Sequence, residues 1–293
     1  MVSAPTVSVL VTVYNRAPYL AACLDSVLAS SWTDFEVVIV DDRSTDESAA
    51  IAAEFASRDS RIRFFQNERN LGDYPNRMRA VELARGTYIK FVDSDDLIYP
   101  HSLAIMVTAM EASPLAGLGL SHSELEAEQP YPWTLTSVDA WRKEFLSGGC
   151  LSCGPSGAIM RRDFFIQAGG FRDRGLVSDI DMWYRMSARW PVVLLQPGLV
   201  WWRRHEGQQF STSGADGFYL ENGHDVAVEA LSSAHCPLND EDRRSALVRA
   251  RQHHARRLVS LALRRRRPIN ALRLYRRSGL SASDLLRGLK PYL

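Results

Sequence analysis

Three aspartates fall within four residues at Asp93-Ser94-Asp95-Asp96, directly after Tyr88-Ile89-Lys90-Phe91-Val92. The run before them is mostly β-branched or aromatic and reads as a buried strand. So much negative charge at the tip of such a strand is unfavourable unless a cation shares the site. A hard divalent ion takes oxygen ligands, and Mg2+ is commonly held by one or two carboxylates together with substrate phosphates. The cluster therefore suggests a metal–diphosphate site at the carboxyl end of a strand. An isolated Asp-x-Asp also fits a solvated turn with an aspartate N-cap for the next helix, so the surrounding elements have to decide.

Those elements alternate. Val7–Val13 is a continuous apolar strand, and Pro18–Ala29 has helical spacing through Leu20, Cys23, Leu24, Val27 and Leu28. Phe35–Val40 is a second strand, Ile62–Phe65 a third and Tyr88–Val92 a fourth, with a helix expected over Asn76–Ala84. Ser44-Thr45-Asp46-Glu47 fits a capping box ahead of a helix through Ile51 and Phe55. Repeated strand–helix units imply a parallel sheet with helices on both faces, and such sheets bind ligands outside the carboxyl ends of their strands. The polar residues expected at that edge are Thr12, Tyr14, Asn15 and Arg16, then Asp41 and Asp42, then Asn70 to Gly72 with Asn76 and Arg77. Neither G-x-G-x-x-G nor a Walker A pattern follows the first strand, which argues against a dinucleotide or P-loop site.

From about 114 to 175 glycine and serine rise and periodicity weakens, except at a short helix over Val138–Leu146 with Ser137 as its N-cap. Gly148-Gly149 and Gly169-Gly170 mark turns. Long loops of this kind on a rigid sheet often carry substrate binding. Helical patterns dominate after Asp225. One runs over Ser245–Leu263, its C-terminal dipole met by Arg264 to Arg267, with Pro268 ending it.

Of the 293 residues 46% are hydrophobic and 24% charged, as in a globular chain with a real core. No apolar run approaches a membrane span, and the N-terminus lacks a basic n-region, so the expected location is the cytoplasm. Four cysteines are too few for a disulfide scaffold, and Cys150-x-x-Cys153 has no second ligand pair to complete a zinc site. The net charge of +1 hides an asymmetry: residues 1–239 hold 20 basic and 30 acidic side chains, residues 240–293 hold 15 and 4. Such a tail packs on the acidic body, forms an oligomer interface or docks on an anionic membrane surface at its inner face. No recognised nucleic-acid module accompanies the charge.

Taken together, these residues resemble family 2 glycosyltransferases of the GT-A fold over roughly residues 6–212. The resemblance is carried by Val7 to Asn15, Val40 to Asp46, Asn70-Leu71-Gly72, Ala84 to Ile89 and Asp93 to Asp96. It continues through Gly157 to Arg162, Gly169-Gly170-Phe171, Ser178 to Trp183 and Trp202 to His205. It implies a mixed, mostly parallel, Rossmann-like α/β sheet flanked by helices. The catalytic domain would span about 1–224, with a donor half to about 96 and an acceptor half after it, and a basic C-terminal helical region would span 225–293. The implied reaction is metal-assisted single displacement with inversion, from a UDP- or TDP-sugar to a hydroxyl of a small-molecule, glycan or lipid-linked acceptor.

By matched position, Thr12 and Tyr14 would face the base, Asp42 would accept its imide N–H, and Gly72, Asn76 and Arg77 would line the base and ribose. Asp93 and Ser94 would serve the ribose side. Asp95 would ligate Mg2+ or Mn2+, with His205 as a further candidate ligand. Asp179 would be the catalytic base at the start of a helix over Asp179–Arg189, its charge favoured by the helix N-terminus. Where the family usually has Glu-Asp, this chain has Ser178-Asp179, which leaves Asp181 as an alternative base. Trp183, Trp201 and Trp202 are candidates for stacking on sugars or for the core. A degenerate protein that binds nucleotide sugars without turnover is the alternative reading. A nucleotidyltransferase would need a basic glycine-rich loop after the first strand, which is absent.

Overall fold

Apolar residues occupy nearly every position of β1 (Val7–Val13), which lies between β2 (Phe35–Asp41) and β4 (Tyr88–Phe91) and runs parallel to both. Near-continuous runs of this kind, interrupted here by Ser8 and Thr12, are what a parallel strand needs when helices cover both its faces. A computed structural model describes residues 4–121, 129–205 and 215–288. The end of the family-like stretch at 206–212 and the tail residue Lys290 lie outside them.

With β3 (Ile62–Gln66), β6 (Leu118–Ser121), β7 (Trp133–Leu135), β8 (Ala158–Arg161) and β9 (Val192–Leu195), the sheet has the order β3-β2-β1-β4-β8-β6-β9-β7. The first four strands in that order are parallel. β8 is antiparallel to β4 and β6, β9 is parallel to β6, and β7 is antiparallel to β9. A two-stranded ribbon of β5 (Leu97–Ile98) and β10 (Val200–Trp201) stands beside the aspartate cluster. The core of this unit packs Val9, Val11, Leu20, Leu24 and Ile39 with Leu103, Met106 and Ile159, all fully buried.

The helices are α1 (Ala17–Leu28), α2 (Ser48–Arg58), α3 (Asp73–Leu83), α4 (Ser102–Glu111), α5 (Ser137–Leu146), α6 (Arg162–Gln167) and α7 (Ser178–Ser187). Several expected boundaries shift. α3 starts three residues before Asn76, because Gly72 takes φ 90° and turns the chain into the helix. Ser137 is the first residue of α5 and not the residue before it. The capping box at Ser44 does not form. The Ser44 hydroxyl instead accepts the Asn15 N–H at 2.9 Å, and the N-cap of α2 is Glu47, with no side-chain cap bond.

The chain divides into two compact units, one of Met1–Ser137 with Leu151–Arg204, the other of Val138–Cys150 with His205–Leu293. In the second, α8 (Ala215–Ser232), α9 (Asp240–Leu263), α10 (Pro268–Arg277) and α11 (Ala282–Gly288) share a core of Leu220, Ala255, Leu258, Leu261, Ala271, Leu274 and Leu280. Position 225 lies within α8. α9 starts five residues before Ser245, on an Asn239 cap whose side chain accepts the Asp242 N–H at 2.8 Å. Pro268 is not the stop of α9. It occupies the first position of α10, where its missing N–H costs nothing. Among the described residues no helix is long and apolar enough to cross a membrane.

Candidate active site

The aspartate cluster lies beyond β4, and its groups are held by arginines. Arg77, on α3, has its Nη2 2.8 Å from Asp93 Oδ1 and donates through Nε to Asp73 Oδ1 at 2.8 Å. Its guanidinium lies over the rings of Tyr74 and Phe91, at 5.6 and 5.5 Å. Arg16, at the N-cap position of α1, donates through Nε to Asp95 Oδ2 at 3.2 Å. Arg203 donates its Nε–H to the Asp95 carbonyl at 2.8 Å and its backbone N–H to Asp96 Oδ1 at 3.2 Å. Burial works against charge at Asp93, but Arg77, the Ser156 hydroxyl and Lys90 outweigh it and hold the carboxyl below its usual range. Burial and the charges of Asp93 and Asp95 push Asp96 up to about 7. Ser94 is buried between them.

Asp42 is placed by the last residues of β2. Its Oδ1 accepts the Asn67 Nδ2–H and the Leu71 N–H, each at 2.8 Å, and its Oδ2 accepts the Gly72 N–H at 2.9 Å. The carboxylate thus ties the loop before α3 to the sheet edge, with three of its roughly four acceptor positions filled. Asn76 is buried in the same network. Its Oδ1 accepts from Asn67 at 2.9 Å and its Nδ2 donates to the Val40 carbonyl at 3.2 Å. Thr12 is half-buried near the end of β1, and Tyr14, just beyond, is 47% exposed and open to a planar ligand.

Asp179 sits in the first turn of α7, where its Oδ1 accepts the Ile180 N–H at 2.8 Å. It has no ion pair among the described residues, although Arg77, Asp93 and Tyr74 are near enough to act on or feel its charge. The helix N-terminus was expected to keep it charged. Burial instead dominates and pushes it up to about 7, with the Ile180 N–H and Arg77 pulling the other way and Asp93 reinforcing the rise. Asp181 is spoken for: Arg185 Nε and Nη2 each lie 2.8 Å from its Oδ2, and Arg174 Nε lies 3.4 Å from its Oδ1. Trp183 is core, fully buried with its indole N–H on the Cys153 carbonyl at 2.8 Å.

A sequence model of the family described as glycosyl transferase family 2 matches residues 8–167, more than half the chain, including Asp42, Asn76, Arg77 and Asp93 to Asp96 but not Asp179 or Arg203. The chain belongs to glycosyl transferase family 2. It is 31% identical over 224 residues to the uncharacterized protein MT1568 of Mycobacterium tuberculosis, covering 69% of this chain and 67% of that one. Matched stretches span only 27 to 31% of curated glycosyltransferases from Bacillus subtilis and Escherichia coli. The fold is shared with S. aureus TarS 1-349, solved in complex with UDP-GlcNAc, at a TM-score of 0.67 and 20% identity over 97% of this chain and 79% of that one. It is also shared with the mannosyltransferase PcManGT of Pyrobaculum calidifontis, solved with GDP-Man and Mn2+, at a TM-score of 0.63 and 16% identity over 98% and 86%. The GT-A architecture expected from the sequence is the observed one.

Several residues that build this family 2 site were not singled out from the sequence. Lys90 is completely buried in β4, and its ammonium donates to the carbonyls of Phe91, at 2.8 Å, and Ser156. Burial pulls it down to about 8, against Asp93 and other neighbouring groups that favour its charge. The Ser156 hydroxyl accepts the Asp93 N–H at 2.9 Å, so Lys90 and Ser156 together fix the start of the aspartate turn. The one available signal was the presence of a lysine, rare in this chain, inside an apolar strand. Asn15 (φ 52°), expected at the edge from the sequence, has a part that was not: it joins the loops after β1 and β2, its Oδ1 accepting the Thr45 N–H at 2.8 Å. The Asp46 carboxylate accepts the Ala17 N–H at 3.0 Å across the same junction. Trp201 and Trp202 are each 43% exposed, and the Arg203 guanidinium lies 4.9 Å from the Trp201 ring. His205 belongs to the second unit.

Proposed function

We propose that the protein transfers a glycosyl group from a UDP- or TDP-sugar to an acceptor hydroxyl by single displacement with inversion. The observation that carries this reading is the contrast between two kinds of carboxylate near one sheet edge. Asp93 and Asp95 each lie against an arginine and suit a charged leaving group, whereas Asp179 has no such pair and a pKa of about 7. A general base works best with a pKa near the operating pH. Asp179 takes the proton of the acceptor hydroxyl as its oxygen bonds to the anomeric carbon. The bond from that carbon to the diphosphate breaks, and its electron pair leaves with the nucleotide.

Asp42 supports a pyrimidine donor. With Oδ1 holding two N–H groups and Oδ2 one, a single acceptor position remains, which suits the one imide N–H of uracil or thymine. Guanine presents two adjacent N–H donors and pairs best with both oxygens of a carboxylate. Tyr14 offers the exposed ring for stacking, and Gly72, bonded by Asp42, with Asn76, linked to it through Asn67, and Arg77 would form the wall against which base and ribose lie. The UDP-GlcNAc complex of TarS fits this reading.

The residues present also fit a divalent ion. Asp95 is a partly exposed carboxylate that already has a cationic group, Arg16, at its Oδ2. Among the described residues no cluster of three His, Cys, Asp or Glu side chains could hold a metal by itself, so diphosphate oxygens would complete the shell. Asp95 would hold Mg2+ or Mn2+. When bound, the ion supplies Lewis-acid stabilisation of the charge developing on the leaving diphosphate. Mn2+ in the PcManGT structure supports this choice.

Two measurements test the proposal. Donor hydrolysis and transfer should collapse in Asp179→Asn while UDP-sugar binding persists, and substantial residual turnover would remove Asp179 as the base. A protein that only binds nucleotide sugars would show no hydrolysis before mutation. In a thermal-shift series with Mn2+, UDP- and TDP-sugars should stabilise the protein more than GDP-sugars, and the reverse order would overturn the role given to Asp42.

A further inference from the structure

The helices of the second unit expose large apolar side chains where charge would be expected. Ile269 is 82% exposed, Leu263 73%, Leu286 67% and Leu272 50%. These are large values for aliphatic residues, and they do not fall at random. At 100° per residue, Ile269, Leu272, Arg273 and Arg276 share one side of α10, while Ala271 and Leu274 turn to the core of the unit. Leu263, at the end of α9, adjoins the exposed turn Arg264–Arg267 that leads into α10. Residues 243–283 contain thirteen arginines and no aspartate or glutamate.

A helix that is merely solvated carries charge alone on its outer side. α10 alternates aliphatic and arginine side chains there, the pattern of a helix lying in a bilayer interface: apolar groups enter the acyl boundary, and arginines reach the headgroups. We propose that α10, with the end of α9 and the arginine turn between them, is a docking surface for a bilayer rich in anionic lipid. The charge determines the partner. An apolar protein surface would offer nothing to the exposed arginines of this face, Arg264, Arg266, Arg267, Arg273 and Arg276, whereas an anionic leaflet supplies both a negative field and an apolar layer. This inference concerns the second unit alone and does not depend on the reaction proposed above.

Co-sedimentation of the full chain with vesicles tests it, using phosphatidylcholine alone and phosphatidylcholine mixed with phosphatidylglycerol. The wild-type protein should pellet with the mixed vesicles, not with the neutral ones, and less so as salt rises. Ile269→Ser with Leu272→Ser leaves the charge untouched and should lower partitioning roughly tenfold. Replacing Arg264 to Arg267 by glutamine should lower it comparably. Circular dichroism melting establishes that both variants fold.

The inference is overturned by absence of pelleting, by equal pelleting on neutral vesicles, or by a serine double variant that binds like wild type, which would mean charge adsorption alone. It is also overturned if light scattering shows an oligomer that the serine variant dissociates while vesicles bind neither protein. Single-stranded RNA that binds both proteins alike, with no vesicle binding, would overturn it too.

Discussion

At the sheet edge Asp93, Asp95 and Asp181 each lie against an arginine, whereas residues 243–283 of the second unit carry thirteen arginines with no acidic side chain among them. The first region settles its charges internally, at fixed distances and largely away from water. The second turns Arg264, Arg266, Arg267, Arg273 and Arg276 outward beside exposed aliphatic groups, while Arg277 pairs with Glu221 of α8. Internal compensation holds groups in place for a small charged ligand, because side chains already restrained by ion pairs need little rearrangement. Charge left open on helices has no such positional precision, and it suits an extended anionic partner instead.

The sharpest way to break this comparison is Asp179, a carboxylate near the edge with no ion pair among the described residues. Asp179→Asn should lower turnover by about 10²- to 10⁴-fold, with donor affinity by calorimetry within about twofold. A loss in affinity as large as that in turnover would make Asp179 part of the compensated set. Next in size is Asp42→Ala, which orphans three N–H donors and should destabilise the protein by about 2–4 kcal/mol in urea unfolding. Replacing Arg264 to Arg267 by glutamine should change stability by only about 0.5 kcal/mol or less. Equal effects at the two places would erase the difference between them.

The pH dependence sharpens the same point. With Asp179 up at about 7 and active as the anion, kcat/KM should fall about tenfold per pH unit below 7 and level off above it. The sign for stability is opposite to that of an ordinary paired carboxylate. Because the folded-state pKa lies above the unfolded one, the folded state holds the proton longer, and stability falls as pH rises toward 7. Asp179→Asn should therefore be more stable than wild type at pH 8, by about 1–3 kcal/mol. A flat rate profile with equal stabilities would show the carboxyl to be charged throughout. The smallest effect concerns Arg16. Arg16→Ala removes a partly exposed cation from Asp95, and Mn2+ affinity without nucleotide should rise about two- to fivefold by electron paramagnetic resonance. A fall would mean that Arg16 supports the ion instead of competing with it.

Much of this was legible because it is local or periodic. Apolar runs at Val7, Phe35 and Tyr88 marked the parallel strands, and the polar residues after them marked the sheet edge at which the site is proposed. What escaped depends on partners distant in sequence. Nothing near Asp42 announces that Leu71 and Gly72 donate to it from some thirty residues away. Ser44 matched a local capping pattern, but a better-placed donor, Asn15 N–H, came from another loop. The helix N-terminus around Asp179 could be read from sequence, whereas the burial that overrides it depends on elements the local pattern does not contain. Nothing around Lys90 in its apolar strand announces the Ser156 carbonyl, 66 residues on, that its ammonium meets.

The bonds that Asp42 makes to Leu71 and Gly72 bear on timing. They close a loop that would otherwise sample many conformations, so its entropy is lost during folding and not when a nucleotide arrives. On the proposed reading, the wall of the base pocket would form before its ligand, and the encounter would resemble docking on a finished surface. Affinity is then set more by how fast the nucleotide leaves than by how often it finds the loop ordered.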